Sequence, residues 1–169
     1  MWAYRGQQRP DFAIEPMAGQ ESVWDYPRPP VARACHRLVE VRQGETLIAR
    51  TSRSFRLLET ASPPAFYLPP SDVDWDHLLP TTGSSVCEWK GAARYWALEH
   101  DPDMPVAWDY PRPRARFDML RNYVSFYPGR ICCLVDGERV EPQPGRFYGG
   151  WITADVVGPF KGEPGTGHW

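Results

Sequence analysis

Polar and apolar residues alternate in short runs along this chain, and glycine and proline end each run before a helical stripe can develop. From Arg37, Val39 and Val41 alternate with Leu38, Glu40 and Arg42, the period-two signature of a half-buried strand, and Gln43-Gly44 supplies a turn. Leu47-Ile48-Ala49 continues the hairpin, and Ser54 to Glu59 reads as a third strand. Pro63-Pro64 and Pro69-Pro70 then fence a short extended segment, Ala65 to Leu68; lacking amide protons, these prolines suit an edge or a strand crossing the core. Ser71 with Asp74 resembles a capping box and predicts a short helix over Asp72 to Leu79, stopped by Pro80.

Two strands are expected around Lys90-Gly91, with Tyr95-Trp96-Ala97-Leu98 as the apolar second arm, and another over Pro105 to Tyr110. "RARFDML" suggests a helical turn and "NYVSFYPGR" a strand. In "ICCLVDGERV", Asp136-Gly137 suits the positive φ values of a tight type I′ hairpin. The pattern totals about nine or ten strands and one or two short helices. It predicts a mainly β, sandwich-like fold.

Composition agrees with this pattern. The chain of 169 residues carries 19 prolines and 14 glycines, with 42% hydrophobic and 14% aromatic residues, enough for one core made of short segments. One domain over 1–169 is expected: a Pro-rich lead-in (1–30), a first β unit (31–110) and a shorter second one (111–169). The formal charge is -2 with no long run of either sign, which disfavours a nucleic-acid partner. No signal-peptide core and no run of about 18 apolar residues is present, so no membrane partner is expected and a cytoplasmic location is. Cys35, Cys87, Cys132 and Cys133 should then be free thiols, and their spacing suits no zinc site; neither metal nor cofactor is implied, and the oligomeric state is open.

"WDYPRP" occurs twice, at Trp24-Pro29 and Trp108-Pro113. Further landmarks follow each copy in the same order: Gly44-Glu45, Phe66-Tyr67 and Trp89-Lys90-Gly91 after the first, Gly137-Glu138, Phe147-Tyr148 and Phe160-Lys161-Gly162 after the second. The alternatives are a duplicated β unit and a chance recurrence of abundant residues. Pro in the fourth and sixth places forces Tyr and Arg before them into extended geometry, so the hexamer reads as a structural brace.

The stretches "GETLIARTSRSFRLLETASPPAFYLPPSDV", "CEWKGAARYW", "AWDYPRP" and "VSFYPGR" resemble the bacterial family catalogued as domain of unknown function 427, over residues 38–130. The tail "QPGRFYGGWITADVVGPFKGEPGTGHW" is similar to an extended form of that family. The resemblance implies a β-tent-like pair of antiparallel sheets and carries a nucleotidyltransferase-like label. That chemistry needs a metal-binding carboxylate pair beside a phosphate loop. "SDVDWD" offers Asp72, Asp74 and Asp76, but no glycine-rich phosphate loop accompanies them.

Cys87-Glu88-Trp89-Lys90-Gly91 concentrates the most functional side chains. On a strand, Cys87 and Trp89 would share one face and Glu88 and Lys90 the other. Lys90 can bind a carboxylate or phosphate or, desolvated, act as a nucleophile; the plain alternative is a surface pair with Glu88. Glu59 interrupts an apolar strand before a Pro-Pro turn and suits an acid-base role or a turn acceptor. Tyr67, Tyr95, Trp96, Trp108 and Tyr127 are the aromatics expected to line a cavity or, failing that, to fill the core.

The leading expectation is a domain holding a small polar or aromatic ligand between two sheets. Lys90, Glu59, Glu88 and Asp72 would supply charge, and Tyr67, Trp96, Trp108 and Tyr127 the walls. The alternatives are an enzyme acting on a nucleotide-like or other small polar substrate, with Lys90, Glu59 or Asp72 as the acid, base or nucleophile, and a protein-interaction module.

Overall fold

A computed structural model describes every residue from Met1 to Trp169. Fifteen strands follow in order: β1 (Glu21–Ser22), β2 (Val31–Cys35), β3 (Val39–Gln43), β4 (Thr46–Thr51), β5 (Ser54–Leu58), β6 (Ala65–Tyr67), β7 (Leu78–Cys87), β8 (Gly91–Leu98), β9 (Asp101–Asp109), β10 (Val124–Phe126), β11 (Cys132–Val135), β12 (Glu138–Arg139), β13 (Glu141–Pro142), β14 (Trp151–Ile152) and β15 (Val156–Val157). The protein is mainly β. The sheets run β12-β11-β3-β4, β10-β9-β8-β7 and β2-β5-β6, with two-stranded pairs β13-β14 and β1-β15, the last parallel. No helix is long and apolar enough to cross a membrane.

Turn chemistry sets the hairpins. Asp136 and Gly137 both have positive φ, 49° and 81°, as the Asp-Gly signal requires. Gly44, at φ 58°, closes β3-β4. β3 then pairs with β11 through Val41↔Cys133 and Val39↔Val135, so this sheet draws on both sides of residue 110.

The expected helix over Asp72 to Leu79 does not form. Two single 3-10 turns stand there instead, Pro70–Asp72 and Trp75–His77, the second capped by the Asp74 carboxylate accepting from the Asp76 amide. Between them Val73 is held extended by a bridge to Ala49, and Leu78 is drawn into β7 opposite Leu98. Strand pairing on both flanks leaves no room for a helical nucleus. The helical turn in "RARFDML" is likewise 3-10, Ala115–Leu120.

The largest core cluster holds nineteen buried residues, among them Val39, Val41, Phe66, Phe126, Cys133 and Trp151. Phe66 stacks on Trp151 at 5.0 Å between centroids, and the Trp151 indole N–H donates to the Phe126 carbonyl at 2.9 Å. Truncating either ring to alanine should cost about 3–5 kcal/mol. A second cluster contains Leu57, Tyr67, Ala93, Trp108 and Tyr110, and a third contains Val23, Trp24, Tyr26 and Leu58.

The two WDYPRP copies take different conformations. Trp24 sits in a 3-10 turn capped by Ser22, whereas Trp108 and Asp109 end strand β9. Asp25 is a surface partner of Arg9, while Asp109 is buried against Arg94.

Candidate functional site

Sheets β2-β5-β6 and β10-β9-β8-β7 meet where Leu68 and Val124 exchange both backbone hydrogen bonds, at 2.8 and 2.9 Å. Beside that junction the sheets part around a cavity of about 830 Å³. Leu57, Ala65 and Tyr67 enter it from one sheet, and Ser85, Cys87, Tyr95 and Trp108 from the other. Strand alternation explains the choice on β8: Tyr95, opposite Trp108 on the neighbouring strand, turns inward, while Arg94 and Trp96 turn away. Residues of the 143–150 segment and Lys161 form a third wall. A Cβ on Gly149 would overlap the Trp108 ring, so glycine is what lets this wall close on the aromatic floor.

The floor is fixed by a bond between the two sheets. The Trp108 indole N–H donates to the Tyr67 hydroxyl at 3.1 Å, and the rings meet edge to face at 6.1 Å. Burial pushes the Tyr67 phenol above its ordinary value despite the opposing pull of Lys90, so it is neutral at neutral pH. Burial raises Tyr110 and Tyr127 as well. Trp108 packs on Tyr127 at 4.5 Å, and the Arg130 guanidinium lies 4.2 Å above the Tyr127 ring.

Lys90 belongs to the turn joining β7 and β8, which Gly91 permits at φ 107°. Because residues 88–90 are a turn, the expected split of Cys87 and Trp89 from Glu88 and Lys90 does not hold: all four border the cavity. Lys90 is 8% exposed and lies 5.5 Å from the Tyr110 ring centre. It forms no salt bridge with any carboxylate, Glu88 included. Burial opposes its charge and Glu59 favours it, and the net direction is above the ordinary lysine value. At neutral pH the group is therefore an ammonium, suited to holding an anion rather than to nucleophilic attack.

Glu59 also borders the cavity, with its carboxylate 3.4 Å from Arg28 Nε. Arg28 is itself buried and donates to the carbonyls of Tyr4, Thr60 and Trp169. Glu59 thus serves as the counter-ion of an anchored guanidinium.

Of the residues expected from sequence, Lys90, Glu59, Tyr67, Glu88, Trp108 and Tyr127 come together here, with Tyr95. Asp72 and Trp96 do not. The Asp72 carboxylate accepts from the Thr51 hydroxyl at 2.6 Å and from Arg53 at 3.0 Å, and these bonds hold its pKa below the ordinary range. Its neighbour Asp74 caps a turn, so the Asp72-Asp74-Asp76 run is not gathered as a metal site. Trp96 faces the other side of its sheet, packing on Trp75 at 4.7 Å and donating its indole N–H to Asp109 at 3.2 Å.

Sequence reasoning missed Lys161 as a site residue. It is 3% exposed, and its ammonium lies 3.5 Å from the Trp169 carbonyl oxygen and 4.0 Å from the Trp2 ring centre. Burial, reinforced by the charge of Arg28, lowers its pKa. The signal was the Lys-Gly echo at Phe160-Lys161-Gly162, with Gly162 at φ 140° matching Gly91 in its positive sign. Trp2 and Tyr148 were missed too, lying in segments without strand periodicity.

Fold and site together define a mainly β domain with a deep aromatic cleft whose enclosed charges are mostly cationic. The chain belongs to the family described as domain of unknown function 427 (DUF427), whose model matches residues 31–141, more than half of its length. No curated protein matches the sequence. Lys90 and the aromatic floor fall within the matched span, whereas Trp2, the 143–150 wall and Lys161 fall outside it.

Proposed function

We propose that the protein binds a small aromatic anion in this cleft, its flat body against Tyr67, Trp108 and Tyr127 and its carboxylate or phosphate at Lys90. The observation that carries this reading is the Lys90 ammonium, 8% exposed, bordering an aromatic cavity without a salt-bridge partner. A charge withdrawn from water calls for a counter-charge, and Glu59 is already engaged by Arg28. The volume of about 830 Å³ suits a ligand of metabolite size. Enclosure of the cations, in place of an exposed basic face, favours a small molecule over a nucleic acid.

Calorimetric titration with 2-naphthoate and its neutral analogue 2-naphthamide tests the reading, with thermal melts in parallel. Ligand at a hundred times its Kd adds about 2.7 kcal/mol to stability, well within detection. Naphthoate should bind and stabilise, naphthamide should bind at least tenfold more weakly, and Lys90→Met should remove the difference. Equal affinity for acid and amide in the unsubstituted protein would refute the proposal.

A further inference from the structure

Lys90 and Lys161 reach one cavity from different parts of the chain, each the centre of an aromatic-Lys-Gly triplet whose glycine has positive φ. Both are more than nine-tenths buried, and neither makes a salt bridge with a side-chain carboxylate. Of the other charges around the cavity, Glu59 is paired with the buried Arg28 behind it, whereas Glu88, Arg130 and Arg146 are exposed to water at the rim. Lys161 is also built into place. Its carbonyl accepts from the Gln143 amide at 2.7 Å, and Gln143 in turn accepts from the Gly150 N–H at 3.1 Å, tying the lysine to the wall that closes on Trp108.

Resting on the proposed function, we infer that the ligand carries two anionic groups at separate points of a planar aromatic body, one held by Lys90 and the other by Lys161. A monoanion leaves one enclosed ammonium without a counter-charge, whereas a dianion of suitable span answers both. The Trp2 ring, 4.3 Å from the Arg28 guanidinium and 4.0 Å from the Lys161 ammonium, screens that end of the cavity from water and so strengthens the second contact.

Calorimetry with three probes decides the matter: 2-naphthoate, naphthalene-2,6-dicarboxylate and 2-naphthyl phosphate, the last placing its extra charge on a single group. The diacid should bind about tenfold more tightly than the monoacid, and naphthyl phosphate should fall short of the diacid. In Lys161→Met the ratio of monoacid to diacid dissociation constants should drop to about one, with Lys161→Gln as the second variant should the first fail to fold. If the monoacid binds and the diacid gains nothing, or if naphthyl phosphate gains as much as the diacid, two-point recognition is wrong while the proposed function stands. If none of the three binds at millimolar concentration, both are wrong.

Discussion

The indole N–H of Trp108 on β9 donates to the hydroxyl of Tyr67 on β6 at 3.1 Å, and both residues are buried. This one bond joins two different sheets at the floor of the cleft. Removing the acceptor by Tyr67→Phe leaves the ring's packing intact and orphans the indole N–H. The expected cost is about 1–3 kcal/mol, read as a lower urea midpoint at unchanged m-value. A loss below 0.5 kcal/mol would mean that the bond does not hold the floor.

Much of the fold was legible in the sequence, and the reason is local. The period-two run around Val39 and Val41 identified two residues that are fully buried, and Asp136-Gly137 identified a turn whose φ values are both positive. Positions decided by distant partners were not legible. Asp72 looked like a ligand-binding carboxylate until Thr51 and Arg53 claimed it. Trp96 resembled Tyr95 in every local respect, and only the pairing with β9 settles which of the two faces the cleft. The Lys161 triplet was visible as an echo of Lys90, but its arrival in the same cavity depends on the closure of the 143–150 segment, which alternation does not encode.

That closure depends on Gly149. Gly149→Ala places a methyl against the Trp108 ring, and the wall must back away from the floor. Overpacking of this kind costs about 1–3 kcal/mol. The variant should lower the thermal midpoint and weaken 2-naphthoate binding together. Unchanged affinity would show that the 143–150 wall is not part of the binding site.

On the far side of the same sheet, Asp109 is 1% exposed, and both its oxygens are engaged by Arg94, with Nη2 at 2.6 Å and Nε at 3.0 Å. The Trp96 indole is its only other donor. Arg94→Met would leave a buried carboxylate largely uncompensated, and breaking a buried pair from one side costs about 3–5 kcal/mol. Arg94 is partly exposed, so the lower end of that range is expected. Asp109→Asn in the Arg94→Met background should recover part of the loss, because the residual charge is then gone. Failure of the second substitution to recover stability would locate the cost in lost packing instead.

Acid should destabilise this protein in a defined window. Arg9 lowers the pKa of Asp25, and the Thr51 hydroxyl with Arg53 lowers that of Asp72. Arg37 with the Leu38 amide lowers that of Asp136. Glu21 is pushed up by burial but drawn down further by Arg56 and Tyr26, so its net shift is also downward. In each case the folded pKa lies below the unfolded value of about 3.9 for Asp or 4.3 for Glu. Between the two values the unfolded chain binds more protons, so stability rises with pH. The contribution is complete above about pH 5 and is lost as pH falls through the folded values. Urea midpoints should therefore be flat from pH 7 to pH 5 and decline steadily from about pH 4 downward. Asp72→Asn should lower the midpoint at pH 7 and flatten part of the decline. A midpoint that holds constant down to pH 3 would show that these four carboxylates are not stabilised by their partners in the folded state.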